Sequence, residues 1–392
     1  MPITGSPATE ATTDLDRLVD ELRTIGLAAG LAAVGVAPAR PFTRARAVLE
    51  SRKATGLHGG MHFTYGNPAR STDPGQALAG AQALVVGAMG YRREAGESDG
   101  NDKDGVGTDL PGRSPLARVA RYSWRDFYAP LRRALDTVAA RLTADGWQTR
   151  VLADDNALVD REAAYQAGLG WYGKNANLLL PGHGSWFVLG SIVTDAPLPP
   201  APGPVADGCK SCQRCLPACP TGALIEPGVL DARRCLAWLL EAPGMFPTEY
   251  RVALGDRIYG CDDCQEVCPP NRAADRQHAP NAADPDDQPW VDVIKLLRMS
   301  DDELLDRFGR WYIPRRQARY LRRNALVVLG NVGDGRDGQV EAILSTALSD
   351  DDPIVRAHAV WAAAQLGRHD LLPPKEGETD PDVLAELDAV RA

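Results

Sequence analysis

The stretch that decides the reading is Cys209-Lys-Ser-Cys212-Gln-Arg-Cys215-Leu-Pro-Ala-Cys219-Pro220, answered downstream by Cys261-Asp-Asp-Cys264-Gln-Glu-Val-Cys268-Pro269. With Cys235 between the two runs, these are all eight cysteines of a 392-residue chain. Three cysteines on one tight loop and a fourth from a distant segment can hold a [4Fe–4S] cubane. In two-cluster ferredoxins the fourth cysteine of such a run ligates the other cluster. That logic gives two complete sets here. One is Cys209, Cys212, Cys215 and Cys268; the other is Cys261, Cys264, Cys219 and Cys235. The alternatives are zinc and disulfides. A four-cysteine zinc site pairs two CxxC knuckles and needs neither a third CxxC step nor a terminal Cys-Pro. Disulfides need an oxidising compartment, and the N-terminal MPITGSPATEATTD has neither the basic nor the apolar region of an export signal. Two neighbouring clusters imply one-electron delivery to chemistry elsewhere in the chain.

Upstream of the cysteines lies a separate unit. Residues 1–14 read as a flexible leader. From Leu15 an amphipathic helix leads through a Gly-marked break into a strand. Ala81–Met89 and Gln148–Ala153 read as strands, and Tyr128–Asp145 and Asp160–Gly168 as helices. Asn177–Leu180 and Ser185–Thr194 alternate like antiparallel strands, and the Gly- and acid-rich residues 92–113 read as a loop. The fold class is therefore α+β, with helices around a sheet over 15–200 and a Pro-rich linker at 196–208. A ferredoxin-like unit follows at 201–275, then a polar connector at 276–318. In the tail at 319–392, Ala325-LVVLGNVG is echoed by Ala359-VWAAAQLG at an offset of 34 residues, the period of paired-helix repeats.

Composition excludes several classes. Hydrophobic residues at 44% and charged residues at 24% are those of a folded chain. No apolar run approaches the roughly 18 residues of a membrane span, so a cytoplasmic monomer with no membrane partner is expected. Lys and Arg number 43 against 52 Asp and Glu, a net charge of −9, which excludes a globally basic nucleic-acid binder but not a local patch. Arg307, Arg310, Arg315, Arg316, Arg319, Arg322 and Arg323, interleaved with Trp311, Tyr312 and Tyr320, form such a patch. Arginines among aromatics suit phosphate contact and base stacking; the alternative is a solvated helix face with internal ion pairs. Gly168-Leu-Gly170-Trp-Tyr-Gly173 imitates a dinucleotide fingerprint, but helix precedes it and strand follows, the reverse of the required order. A helix C-cap and tight turn are expected there. Asp154-Asp155-Asn156 falls between strand and helix, where Asp is most often an N-cap and can otherwise face a ligand cleft.

At this point the chain resembles the epoxyqueuosine reductases of tRNA. The similar segments are RVARYSWRDFY (118–128), DDNALVDREAAYQAGLGWYGKN (154–175), GSWFVLGSIVTDAPLP (184–199), RCLAWLLEA (234–242) and RIYGCDDCQEVCP (257–269), with both cysteine runs and the repeat tail. The cysteine runs alone would also suit a reductive dehalogenase acting on a small molecule, or a non-enzymatic cluster-carrying electron-transfer or RNA-binding protein. The resemblance implies a cytoplasmic oxidoreductase that converts epoxyqueuosine to queuosine at wobble position 34 of tRNA, using cobalamin, two [4Fe–4S] clusters and a low-potential electron donor. Cobalamin would sit base-off in the N-terminal unit; no His here has Asp two residues before it, as the base-on pattern D-x-H-x-x-G requires. The family's proton-donating Asp lies six residues before the acid of its (E/D)-R-x-x-A element. Here that acid is Asp160, so the match is Asp154. Implied cobalamin contacts are Arg70, Ala120, Asp154, Leu178 and Leu189, and implied tRNA contacts are Arg315, Arg316, Arg322 and Arg323. Two departures stand out: Asp126-Phe127-Tyr128 where the family often has Asp-Tyr-His, and Gly190-Ser191-Ile192 where many members have Gly-Glu-Ile.

Overall fold

The structure, a computed structural model, describes residues 7–93, 114–277 and 281–391. The expected loop at 92–113 lies almost wholly outside these residues, as do residues 1–6 of the expected leader. The rest of that leader is not loop: the first helix already runs Pro7–Ala28.

The N-terminal unit is built on four antiparallel strands in the order Ala33–Pro38, Ala83–Gly90, Phe187–Thr194, Thr149–Ala153. Alternation decides its faces. Val85 and Met89, with Val188 and Ile192, pack against the helices Pro7–Ala28 and Tyr128–Ala144. Leu84, Val86 and Ala88, with Leu189 and Val193, pack on the other side against the helix Asp160–Gln166 and its surroundings. Both faces are covered, which is why these strands read as unbroken apolar runs. Gly87 and Gly190 are paired in register. A Cβ at either would lie within 3.0 Å of a Leu135 methyl, so the two glycines together let the Tyr128–Ala144 helix sit close on the sheet.

The false fingerprint is a helix terminus. After Asp160–Gln166, the Gly168 N–H donates to Tyr165 O and the Leu169 N–H to Ala164 O, with Gly168 at φ +68°, a Schellman cap. At Gly170 a Cβ would lie 2.1 Å from Leu179 O; that glycine permits the hairpin Trp171–Tyr172/Leu178–Leu179 rather than a phosphate.

The C-terminal part shares one core, running from Ala117 and Trp124 through Leu236–Tyr259 and Val291–Ile313 to Leu387. It includes a three-stranded sheet in which Leu116–Val119 lies between Arg257–Tyr259 and Trp290–Asp292. Packing therefore does not follow the expected boundaries at 200 and 319: residues 116–124 lie in the core shared with the cysteine region, and the helices from Arg319 continue that core. The polar stretch after Cys268 also opens with a helix, Pro269–Gln277. The tail helices Arg319–Val332, Gly338–Leu348, Pro353–Gln365 and Pro381–Ala389 pack on one another. The last three begin at Asp337, Asp352 and Asp380, whose carboxylates cap backbone N–H groups.

Candidate functional site

The eight thiols fall into two neighbourhoods. Cys215 feels the charges of Cys209 and Cys212, and Cys268 those of Cys209, Cys215 and Cys212. Cys264 feels Cys261, Cys235 and Cys219, and Cys235 feels Cys219. The final cysteine of each run thus lies among the thiols of the other run. Among the described residues no three or more His, Cys, Asp or Glu side chains converge as ligands of one ion. A cubane asks for something different, because each thiolate takes its own iron and the sulfurs splay around the cluster. Burial pushes the Cys268 thiol up to about 11 and the Cys261 thiol up to about 12, so these sulfurs favour the thiolate only with a cation beside them. Cys219 Sγ accepts a hydrogen bond from Ala223 N at 3.2 Å, the kind of contact that tunes a cluster's potential.

A buried polar network ties the cysteine unit to the sheet. Ser185 N donates to Asn271 Oδ1 at 2.6 Å, and Ser185 Oγ to Gln265 Oε1 at 2.9 Å. Asn271 Nδ2 donates to Gln265 O at 2.8 Å. The Gly-Ser-Trp motif owes its serine to this junction.

Asp154 directly follows the strand Thr149–Ala153 and adopts the left-handed conformation, φ +53°. It is no N-cap: the next helix starts six residues later at Asp160, and its capping position, Val159, makes no side-chain bond. Neighbours hold the turn. Arg132 donates to Ala153 O at 2.6 Å, Asp155 Oδ1 accepts from Ala157 N at 2.8 Å, and Asn156 Oδ1 accepts from Thr64 N at 3.2 Å. The Asp154 carboxyl is open to solvent yet flanked by protein on several sides. Desolvation there raises its pKa, Arg132 opposes the rise, and Asp155 and Asp126 add to it. Asp160, deeper in, is raised well above the carboxylate range by burial and by Asp154, and its Oδ1 finds no partner among the described residues. The Tyr128 hydroxyl faces both carboxyls and is also raised by burial.

The expected cofactor residues take distinct positions. Leu178 and Leu189 are buried in the apolar layer that also holds Leu152, Ala157 and Leu158, directly beneath the Asp154 turn. Exposed Arg70 lies on the short helix Pro68–Ser71, joined to that turn through Val159 N donating to Ser71 O. Ala120 is buried across the chain, its N–H donating to Tyr259 O at 2.9 Å.

Sequence reasoning did not single out Glu241. It ends the helix Leu236–Glu241 that starts after Cys235. Burial pushes its carboxyl up to about 7 against hydrogen bonds to Tyr259 and Tyr122, and Asp154 raises it further. The signal was present: one acid closing the apolar run Leu-Ala-Trp-Leu-Leu.

The arginine patch divides. Arg323 is fully buried and donates to the carbonyls of Leu239, Leu240, Ala242 and Gly244 and to Asn324 Oδ1. Arg322 is spent on Asp301 and Met299 O, Arg319 on Asp352, and Arg310 on the carbonyls of Ser123 and Trp124. Arg322 and Arg323 are thus internal ties, because their helix is enclosed on both flanks. Arg315 and Arg316 stay exposed beside exposed Tyr312, both in the left-handed conformation at φ +50° and +53°, although Arg316 also donates to Gly309 O at 3.0 Å and Leu305 O at 3.4 Å.

Residues 208–271 match a family described as a 4Fe-4S double cluster binding domain. An epoxyqueuosine reductase of Xanthomonas campestris is 36% identical over 350 residues, covering 88% of this chain and 95% of that protein. One from Bacillus subtilis is 30% identical over 383 residues, covering 95% of each. A crystal structure of epoxyqueuosine reductase with an epoxyqueuosine-modified tRNA-Tyr stem loop superposes with a TM-score of 0.83 at 27% identity, covering 96% of this chain and 100% of that one. A Bacillus subtilis structure with its catalytic aspartate loop swung out of the active site gives 0.81 at 28% identity, covering 96% and 98%. Similarity of this extent takes in the sheet, the Asp154 turn, both cysteine sets and the helical tail together, and the chain belongs to the epoxyqueuosine reductase family.

Proposed function

We propose that this chain reduces epoxyqueuosine to queuosine at position 34 of tRNA, with base-off cobalamin and two [4Fe–4S] clusters. The observation that carries the reading is the placement of Asp154. It is an exposed carboxyl with a raised pKa, set in a left-handed turn at the end of a sheet strand and bordered by Asp126, Asp155 and Arg132. The reaction takes two electrons and two protons and releases the epoxide oxygen as water. Asp154 gives its proton to the oxygen as a carbon–oxygen bond breaks, acting as general acid. Arg132 holds Ala153 and so aims that carboxyl.

The residues fit a large cofactor with an apolar body and polar edges. Leu178 and Leu189 supply an apolar floor, Arg70 an exposed cation at the rim, and Asp160 Oδ1 an uncommitted polar atom. With Ala120 and Asp154 they are the contacts we assign. Cobalamin held there would supply the low-valent cobalt that engages the substrate's carbon–oxygen bond. Electrons come one at a time from a low-potential donor through the cysteine sets. We assign 15–200 as the cobalamin-binding unit, 201–275 as a ferredoxin-like two-cluster unit and the tail helices as HEAT-like repeats, acting as a cytoplasmic monomer. Among the described residues no helix is long and apolar enough to cross a membrane.

Arg315 and Arg316 are the cations we assign to tRNA phosphates. Tyr312 on the same loop donates its N–H to the Tyr259 hydroxyl at 2.8 Å, which anchors the loop to the strand Arg257–Tyr259.

The test is a tRNA digest from a strain lacking its own enzyme. The chain should restore queuosine, and Asp154→Asn should lose turnover on the order of 10²- to 10⁴-fold while keeping iron and cobalamin. Asp155→Asn, altering only a turn contact, is the control. Near-parental turnover in Asp154→Asn would refute the assignment.

A further inference from the structure

Clusters filled from outside need a place where the donor can reach them. We propose that the face around the first cysteine run, carried by Lys210 and Arg214 with Lys174 behind them, is where the electron donor docks, and that the donor is an acidic protein bearing a one-electron centre; this rests on the reading above.

The two runs differ in what surrounds their cysteines. In the first, Lys210, Ser211, Gln213, Arg214 and Pro217 are exposed, and Cys209 and Cys212 are themselves only half-buried. In the second, no residue from Cys261 to Cys268 is exposed. Charge divides the same way. Between the cysteines of the first run lie two cations and no acid; between those of the second lie Asp262, Asp263 and Glu266 and no cation. The arginines beside the second run are spent. Arg257 Nη2 lies 2.6 Å from Asp263 Oδ2, and Arg118 reaches Asp256, Asp263 and Glu266 at 3.4, 3.8 and 3.7 Å. Among the described residues no carboxylate pairs with Lys210 or Arg214.

Hydrogen bonds hold this face in place. Lys210 is left-handed at φ +46°, and its carbonyl accepts from Lys174 Nζ at 2.6 Å. Cys212 N donates to Cys209 O at 2.9 Å. Cys209 packs with Cys268 and Trp171, which brings the end of the second run here. One turn beyond Cys268, exposed Arg272 donates its N–H to Cys268 O and its Nε to Glu266 O, both at 3.0 Å. Two acids share the face: Asp207, whose Oδ1 accepts from Cys209 N at 2.8 Å, and exposed Glu226, in the turn whose Gly228 N donates to Lys174 O. Exposed, uncommitted cations around partly exposed cysteines steer a partner of opposite charge to the place where an electron can enter. RNA is the weaker fit, because the loop assigned to tRNA is anchored at Tyr259, two residues before Cys261, and so belongs with the other run.

The electrons balance. Each docking passes one electron from the donor's reduced centre to the first cysteine set, and the donor leaves oxidised by one electron. Two dockings supply the two electrons of one reduction, and no atom is transferred across this face.

The test uses the cluster-loaded full chain under anaerobic conditions, with an acidic [2Fe–2S] ferredoxin as the probe. In Lys210→Gln/Arg214→Gln, iron content and tRNA affinity should match the parent. Calorimetric affinity for the oxidised ferredoxin, and the rate at which the reduced ferredoxin bleaches the clusters, should each fall on the order of 10-fold at low salt. The parent's rate should drop steeply with added salt and the variant's much less. Reduced methyl viologen, a small cation, should reduce the variant no more slowly than the parent. Should the double variant lose iron, Arg214→Gln alone, outside the Lys174 contact, carries the same comparison with a smaller effect. Unchanged ferredoxin affinity and salt dependence overturn the proposal, and so does a loss of tRNA affinity in their place, which would make this an RNA surface. An unsubstituted chain that takes up electrons but makes no queuosine would instead refute the function itself.

Discussion

Arg323→Met separates a structural arginine from an RNA-binding one. The side chain lies in the core with its guanidinium on four carbonyls, and desolvation lowers its pKa to about 9. Methionine fills similar volume and donates nothing. Leu240 O would keep its bond from Asn324, so four acceptors, the carbonyls of Leu239, Ala242 and Gly244 and the Asn324 Oδ1, lose their partner. An orphaned buried carbonyl costs about 1–3 kcal/mol. Relief of the buried charge returns part of that, because methionine leaves no buried ion behind. Against a total stability of about 5–15 kcal/mol this is a large loss. Urea unfolding under anaerobic conditions, followed by circular dichroism and by cluster absorption separately, should show an earlier transition and earlier cluster release. Two probes are needed because a multidomain cluster protein need not unfold in one step. The salt dependence of tRNA binding by the folded fraction should not change. A variant within about 1 kcal/mol of the parent whose tRNA affinity loses its salt dependence would show that Arg323 reaches phosphate and that the buried clamp is wrong.

Two other substitutions probe the clusters and the tRNA face. Cys219→Ala should empty the set built on Cys261 and Cys264, although Cys219 belongs to the other run, leaving about four of eight irons per chain; loss of the Cys209 set instead would contradict the exchange of ligands. Replacing Arg315 and Arg316 together with Ala should leave cluster spectra unchanged and reduce the slope of log affinity against log salt by roughly 0.7–0.9 per lost phosphate contact, and an unaltered slope would return both residues to a solvated face.

What is legible follows from the range of each constraint. The double-cluster domain can be read because the cysteine spacing within each run is local. The sheet strands can be read because burial on both faces leaves continuous apolar runs. The Arg patch is only half legible, because composition does not say which way a helix turns its side chains. In Arg319–Val332 the buried positions include Tyr320, Leu321, Arg323, Asn324 and Ala325, a spread that encloses the helix on most sides and leaves Arg323 no route to solvent. The three-stranded sheet is invisible for a different reason. Its strands are three or four residues long, and Leu116–Val119 pairs with partners more than 130 residues away in sequence. No periodicity develops in so short a strand, and the pairing is purely tertiary.

Strain in the backbone gathers at the Asp154 turn and at the loop that carries Arg315 and Arg316. Among the described residues six non-glycines adopt positive φ: Thr64, Asp154, Ala176, Lys210, Arg315 and Arg316. Each such residue costs on the order of 1 kcal/mol and persists only where surroundings over-determine it. Thr64 and Asp154 belong to one device, since Asn156, two residues after Asp154, accepts the Thr64 N–H. Arg315 and Arg316 belong to the loop whose Tyr312 bonds Tyr259 beside Glu241. Four of the six strained residues therefore lie on segments hydrogen-bonded to the Asp154 turn or to Tyr259. A carboxyl that must deliver a proton to one atom cannot rest on a mobile loop, and the strand ending at Ala153 stops one residue short of Asp154. The left-handed turn, gripped by Arg132 on one side and Asn156 on the other, substitutes for the missing secondary structure. On the proposed role of Asp154, the strain there is the consequence of holding a general acid rigid at the edge of a sheet while leaving its face open to substrate.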